Sequence, residues 1–341
     1  MKTTTISIDL AKNIFQLMGF TFDGKRVFNK RLNRVQLYEF LLKHELCHIV
    51  MEACYSSHYW GRTFLEMGHT VALIPAQHVT PFVRGNKNDS NDTLAIFEAS
   101  NRVYIRHVPI KTEAQQEILM LHSLRERLVR NRTAASNQLR GLLTDFGIIF
   151  PLGAKAFDDK MKALSDDETL SAIVRGVIKD VYKEYKSLMA RLKEIEKTLK
   201  LSVEEGELGK ILLSIPGIGY LNASAFIASI GSGQAFATAR EFAVWLGITP
   251  KQFASGNKSV MAGISKRGNG YLRKLLIHGA RAIVSRAGNK QDSLSLWINQ
   301  LRARKSYNCT AVATAHKLAR IMWTLLQKQC HFTPQEIKVA A

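Results

Sequence analysis

The hydrophobic period of this 341-residue chain changes once, near Lys111, and the change requires two different architectures. Before it, β-branched runs alternate with helical stretches. Residues 3–9 (TTTISID) read as a strand ending at Asp9, and 14–22 and 26–32 as two more, with a hairpin signal at Asp23-Gly24. Residues 34–44 space Leu37, Phe40 and Leu41 as a helix, and 47–52 reads as a short buried strand ending at Glu52. A helix from about His58 to Met67, a strand at 70–74 and a further helix complete a mixed α/β sheet over residues 1–110.

After Lys111 the period is helical. Residues 112–145 carry Ile118, Leu121, Leu124, Leu128 and Leu139, interleaved with Arg125, Arg127, Arg130, Arg132 and Arg140. A loop with Pro151 and Gly153 precedes a second long helix, expected from about Asp166 to Leu201. Its apolar positions, Leu170, Val174, Val177, Val181, Tyr185, Leu188, Leu192, Ile195 and Leu199, form a heptad pattern with one stutter. Such a helix packs either in an intramolecular hairpin or in an oligomerising coiled coil. The expected divisions are 1–110, a helical or coiled-coil connector over 111–206, and a helical region with Gly-rich turns over 207–341.

Charge is distributed unevenly along this framework. Lys and Arg number 48 against 28 acids, a net charge of +20, and residues 242–335 hold 15 basic residues and one acid, Asp292. A polyanionic partner for the C-terminal part follows. Cys47, Cys54, Cys309 and Cys330 form no CxxC pair, which excludes a disulfide scaffold and suggests a reducing cytoplasm. The N-terminal MKTTTISIDLAKN lacks the apolar core of a signal peptide. The uncharged run between Lys210 and Arg240 is interrupted by Pro216-Gly217-Ile218-Gly219 and Asn222, so it reads as a turn between buried helices and not as a membrane span.

Four carboxylates can carry chemistry. Asp9 and Glu52 end strands, and Asp89 and Asp92 lie three apart, on one face of a helix. Magnesium prefers such hard oxygen ligands, and two ions can serve both oxygens of a phosphodiester displacement. Asp89 and Asp92 serve equally well as helix-start residues. Cys47, His48, Cys54 and His58 have no zinc-finger spacing and read as core thiols with neighbouring imidazoles. Pro216-Gly217-Ile218-Gly219 resembles the turn of a helix-hairpin-helix element, whose backbone N–H groups, at Gly217 and Gly219, would meet phosphate, although a purely structural tight turn has the same signature. Ser255-Gly256 sits among Lys251, Lys258, Lys266 and Arg267, cations that favour phosphate approach to a hydroxyl, although a turn serine in a basic loop has the same signature.

The order of SIDLAKN, MEACYSSHYW, NKNDSND, RNRTAASNQLRGLLTDFG, IPGIG, FAVWLGITPKQ and ASGNKSVMAGISKRGNGYLRKLLIHGARA resembles the DEDD transposases of the insertion-sequence "one-ten" family, which includes Piv-type DNA invertases. The resemblance covers nearly the whole chain. It implies a RuvC-like, ribonuclease-H-type α/β domain, a coiled-coil connector and a mainly α-helical C-terminal transposase domain. Asp9, Glu52, Asp89 and Asp92 would hold Mg²⁺, two ions in all, and Ser255 would be the nucleophile. Related sequences often have two hydroxyl residues before the glycine; here Ala254 takes the first position, which would make the chain an inactive variant if the nucleophile belongs there, and Ser259 is a distant further candidate. Arg125, Arg132, Arg273 and Lys274 join the basic residues expected to meet nucleic acid.

The implied partners are donor and target DNA, a structured bridge RNA that pairs with both, and further copies of the chain. A tetramer, as a dimer of dimers, would complete active sites between protomers in the bacterial cytoplasm, at the nucleoid. The activity expected is RNA-guided DNA recombination through a phosphoserine intermediate. A RuvC-like nuclease using metal-activated water and a non-catalytic nucleic-acid scaffold are the alternatives.

Overall fold

The computed structural model describes residues 2–334 apart from Lys87 and Asn257. Packing divides the chain into two compact units: residues 1–115 with 233–237, and residues 116–232 with 238–341. From Gln116 onward, the segment expected as a connector belongs to the same compact unit as most of the C-terminal region.

The first unit begins with β1 (Thr5–Asp9), β2 (Ile14–Phe20) and β3 (Arg26–Asn33) as an antiparallel meander. Between β2 and β3, Gly24 turns the chain at φ +80° and donates its N–H to the Thr21 carbonyl (3.0 Å). α1 (Arg34–Lys43) starts directly from β3, because Asn33 and Gln36 form a reciprocal capping box. Then follow β4 (His48–Glu52), α2 (Ser57–Glu66), β5 (Thr70–Ile74), α3 (Ala76–Val79), a 3-10 turn (Thr80–Phe82) and α4 (Asp89–Ser100). The sheet order is β3-β2-β1-β4-β5, with β1, β4 and β5 parallel.

Alternation assigns the two faces. Ile6, Ile8, Phe15, Leu17, Ile49 and Met51 point one way and pack with Leu37 and Leu41 of α1 and Trp60 and Phe64 of α2. Val50, Ala72 and Ile74 point the other way, against Ala95, Ile96 and Ala99 of α4. Coverage on both faces explains why β4 (HIVME) reads as an unbroken apolar run.

The second unit is mostly helical. Its elements are α5 (Glu113–Thr144, starting at the boundary), α6 (Ala154–Ser165), α7 (Ala172–Glu204), α8 (Glu207–Leu213), α9 (Tyr220–Ile230), α10 (Ala239–Trp245), β6 (Pro250–Ser255), β7 (Lys258–Ile264), α11 (Gly270–Arg286), α12 (Ser293–Arg302) and α13 (Tyr307–Lys328). α5 and α7 are antiparallel: Arg125 meets Glu196, and Arg132, seven residues on, meets Met189, seven residues back. The heptad residues Leu188, Leu192, Ile195 and Leu199 pack with Leu128 of α5, so this part of the stripe is buried within the chain. No helix among the described residues is long and apolar enough to cross a membrane.

Two expectations are corrected. The loop after Pro151 contains α6, whose Phe157, Met161 and Leu164 repeat at steps of four and three and are buried against Ile178 and Tyr185. α7 accordingly begins at Ala172, where the Ser171 side chain accepts the Val174 N–H, leaving Leu170 outside it. The basic serine loop is likewise a two-stranded ribbon, β6 paired antiparallel with β7, in a region expected to be helical.

The root of that ribbon is a close backbone crossing. Lys266 donates its N–H to the Gly247 carbonyl (3.0 Å), and Ser265 to Thr249 (2.8 Å). A Cβ on Gly247 (φ +70°) would lie 2.0 Å from the Arg267 carbonyl oxygen, and one on Gly268 (φ +115°) 2.0 Å from that of Trp245. Gly268→Ala should therefore cost roughly 2–3 kcal/mol in urea unfolding, combining backbone strain with a clash. Gly24→Ala, with nothing within 4 Å of its Cβ, should cost about 1 kcal/mol. Equal losses would show that the crossing is not what requires glycine.

Candidate active site and nucleic-acid interface

The carboxylates belong to one row across the first sheet. Asp9 pairs with Gln16, and Gln16 with Arg31. β1 and β4 run in parallel register with Ile8 opposite Met51, so the next step sets Asp9 level with Glu52. Cross-strand partners share a face, and here it is the face that α4 covers. The first turn of α4 carries Asp89 and Asp92; it is capped by Asn88, whose side chain accepts the Asn91 N–H (2.8 Å). Ser90 accepts from Asn29 of β3 (3.3 Å), which ties this turn to the sheet.

The structure thus puts Asp9 and Glu52 side by side and places the helix pair over the same face, but it does not converge all four. Asp89 is exposed and forms an ion pair with Arg31 (3.6 Å). Among the described residues, no three His, Cys, Asp or Glu side chains gather closely enough to hold a metal ion. The donor chemistry still fits a hard divalent cation, because all four ligand candidates are carboxylates. The nearby Cys54 thiol is pushed up to about 11 by burial, then by Glu52 and Asp9, so no thiolate competes there for a softer metal. The zinc-like cluster is also dispersed: Cys47 is buried and donates its N–H to His69 Nδ1 (3.2 Å), while His48 contacts Thr70 (2.9 Å).

Ser255 is the last residue of β6, opposite Lys258 across the ribbon end, and Ala254 is opposite Ser259. Both strands are exposed along nearly their full length, including Phe253, Val260 and Met261. Lys251 and Lys258 form no ion pair among the described residues, so the hydroxyl stands in an uncompensated positive field.

Other basic candidates have structural engagements. Arg125 is clamped by Glu196 through Nη2 (2.7 Å) and Nε (2.8 Å), and Lys274 bonds Glu126. Arg273 donates to the Leu246 carbonyl (3.1 Å) at the end of α10. Lys266 (φ +54°) and Arg267 belong to the glycine crossing. Gly217 permits close approach to α11, since its Cβ would lie 2.7 Å from the Gly279 carbonyl oxygen. Gly219 is the N-cap of α9 and leaves the helix start without a side-chain cap.

No motif or periodicity along the chain signals a buried polar joint in this unit. Ser224 Oγ donates to the Tyr220 carbonyl (2.7 Å), so it accepts from His122 Nε2–H (2.9 Å). His122 Nδ1 then accepts the Tyr271 hydroxyl (2.8 Å). The joint fastens α5 to α9 and to the first turn of α11, immediately after the ribbon root. Burial and then Arg125 hold His122 down at about 4, and burial pushes Tyr271 up to about 12.

Comparison with known proteins adds identity to this geometry. Residues 6–148 match a DEDD family model described as "Transposase", and residues 209–295 match "Transposase IS116/IS110/IS902 family". The chain is 40% identical to a Pseudomonas aeruginosa protein named "Probable family 20 transposase", over 98% of this chain and 100% of that one. It is also 40% identical to "Transposase for insertion sequence element IS1111A" of Coxiella burnetii, over 95% and 90% respectively. The identity to "Transposase for insertion sequence element IS1328" of Yersinia enterocolitica is 37%, over 94% and 96%.

The His122 joint generates a pH prediction. An unfolded imidazole takes up its proton near its ordinary value of 6.5, while the folded one resists until about 4. Between those values the unfolded chain binds more protons, so stability falls as pH drops through that window and is flat above it. The expected loss from this group is about 3 kcal/mol at pH 4 relative to pH 7. His122→Gln should flatten that part of the slope in denaturant unfolding across the window; an unchanged slope would contradict the buried neutral imidazole.

Proposed function

This chain belongs to the IS116/IS110/IS902 transposase family and is a DNA transposase, and from that premise we propose that Ser255 attacks DNA with the help of a carboxylate-held Mg²⁺ pair. The observation that carries the reading is the adjacency of Asp9 and Glu52 at equivalent ends of parallel strands, on the sheet face that α4 covers. The sheet order β3-β2-β1-β4-β5 supports a RuvC-like assignment for this unit.

Asp9, Glu52, Asp89 and Asp92 would hold the ions, with Arg31 released from Asp89 to pair with a DNA phosphate. When bound, the ions neutralise charge on phosphorus and lower the pKa of an attacking hydroxyl. Ser255 Oγ gives its proton to solvent water and bonds to phosphorus, and the bond from phosphorus to the deoxyribose oxygen breaks, that oxygen taking a proton from water to leave a free hydroxyl at the strand end. Lys251 and Lys258 draw the phosphate onto the ribbon end and offset the charge of the pentacovalent state. A hydroxyl of another strand then displaces the serine and restores it. The covalent link keeps the broken strand bound and stores its bond energy for rejoining. This reading takes Ser255, and not the position of Ala254, as the place of the nucleophile; were it the latter, the chain would be an inactive variant.

In the same reading, sequence choice lies with a bridge RNA, and the uncompensated C-terminal charge serves its backbone as well as that of DNA. Gly217 and Gly219 would present backbone N–H groups to phosphate. Ser255 and the carboxylates occupy different compact units, which suits a cytoplasmic tetramer that completes each site between protomers.

Incubation with a suicide DNA substrate and Mg²⁺ tests the nucleophile. The wild type should give a denaturant-resistant protein–DNA adduct, lost in Ser255→Ala and in Asp9→Asn with Glu52→Gln. Free cleaved ends without adduct would favour hydrolysis by metal-activated water, and unchanged strand chemistry in the Asp9/Glu52 double mutant would make these acids structural. Mixing Ser255→Ala with Asp9→Asn should restore adduct; a co-assembled mixture as inactive as its parents would exclude sharing between protomers. Discrete RNA sequenced from the purified protein should pair with both DNAs.

A further inference from the structure

The helical connector holds a cavity of about 380 Å³ that none of the chemistry above uses. One wall is a single face of α5, with Arg132, Thr133, Ser136, Asn137 and Arg140. Gly153 and Ala154, where α6 begins, and Phe157 form the other. No acid lines it.

Its two arginines lack carboxylate partners. Arg140 donates from Nη1 to the carbonyls of Pro151 (3.1 Å) and Phe150 (3.5 Å), and its guanidinium lies over the Phe150 and Phe157 rings. It is held rigidly, and its charge is uncompensated. Arg132 has only the Met189 thioether as acceptor, at 3.8 Å. Neither forms an ion pair among the described residues. The adjoining acid Asp158 is engaged elsewhere, by Tyr182, Lys162 and Lys186. Gly153 gives α6 no side-chain cap, and no acid occupies its first turn, so that end adds to the positive field.

We propose that this cavity is a binding site for the phosphodiester backbone of a single nucleic-acid strand, separate from the carboxylates and from Ser255. Arg132 and Arg140 are two turns apart on α5, about 12 Å along the axis. That spacing suits two phosphates of one strand with another between them better than one free ion. The Asn137 amide lies between them and can donate to a phosphate or a sugar oxygen, while the Ser136 hydroxyl, which donates to the Thr133 carbonyl (3.0 Å), can accept from a sugar hydroxyl. Arginine suits such a site because its fork matches phosphate geometry and its planar cation rests on aromatic rings, as Arg140 already does. The inference does not depend on which residue is the nucleophile.

The test measures binding of the full-length protein to roughly 20-nucleotide single strands of RNA and of DNA with the same sequence, by fluorescence anisotropy across a salt series. Arg132→Gln should weaken binding and lower the log–log salt slope by about one. Ala154→Asp adds a negative charge at the cavity mouth in a position that favours the helix, so thermal stability should hold or rise while affinity falls about tenfold. A loss confined to RNA assigns the cavity to the RNA, a loss confined to DNA assigns it to a DNA strand, and a loss with both assigns it to either backbone. Wild-type affinity for both strands in a stably folded Ala154→Asp protein would overturn the proposal.

Discussion

A parallel strand pair cannot be closed by a tight turn, so joining β1 to β4 requires a crossover long enough to return the chain to the same end of the sheet. Here the β2–β3 hairpin and α1 provide it. The arrangement depends on that pairing: once Ile8 stands opposite Met51, Asp9 and Glu52 must emerge together at the strand ends. A one-residue slip would turn Glu52 into the core with Trp60 and Phe64 and turn Met51 out. Burial of Ile6, Ile8, Ile49 and Met51 on one face and Val50 on the other specifies this register. The hydrophobic core therefore aligns the acids, which do not attract one another.

Electrostatics is arranged differently in the second unit. Three acids of its connecting helices are engaged internally, Glu196 by Arg125, Glu126 by Lys274 and Asp158 by Lys162 and Lys186. The surplus cations after residue 242 are left for an external polyanion. A ribbon of two strands has too little core to be stable alone, and β6–β7 relies on its root, where Gly247 and Gly268 allow two backbones to cross. The neutral His122 joint fastens the following helix. Exposure of the ribbon and rigidity of its base are the combination that the proposed attack by Ser255 requires.

Periodicity alone located most elements. The alternating residues of β1 and the apolar run of β4 placed these strands within two residues, and the heptad located α7. It failed where a short amphipathic run was shadowed by Pro151 and Gly153, although Phe157, Met161 and Leu164 carried the signal for α6. It failed again at β6–β7, whose exposed residues have no buried face and hence no alternation to read.

The sequence by itself determined the two architectures, the family, the strand ends that carry Asp9 and Glu52, and the excess positive charge toward the C-terminus, because these follow from local period, residue order and composition. Only the tertiary structure decided which charges are available. Arg125 and Arg132 look alike in sequence, seven residues apart on one helix, yet one meets Glu196 and the other lines a cavity with no acid among its described lining residues. Asp89 and Asp92 share a helix turn, yet Arg31 comes from a distant strand to pair with Asp89. A side chain's partner is set by which elements the core brings together, and that pairing across the fold is not written in its neighbours along the chain.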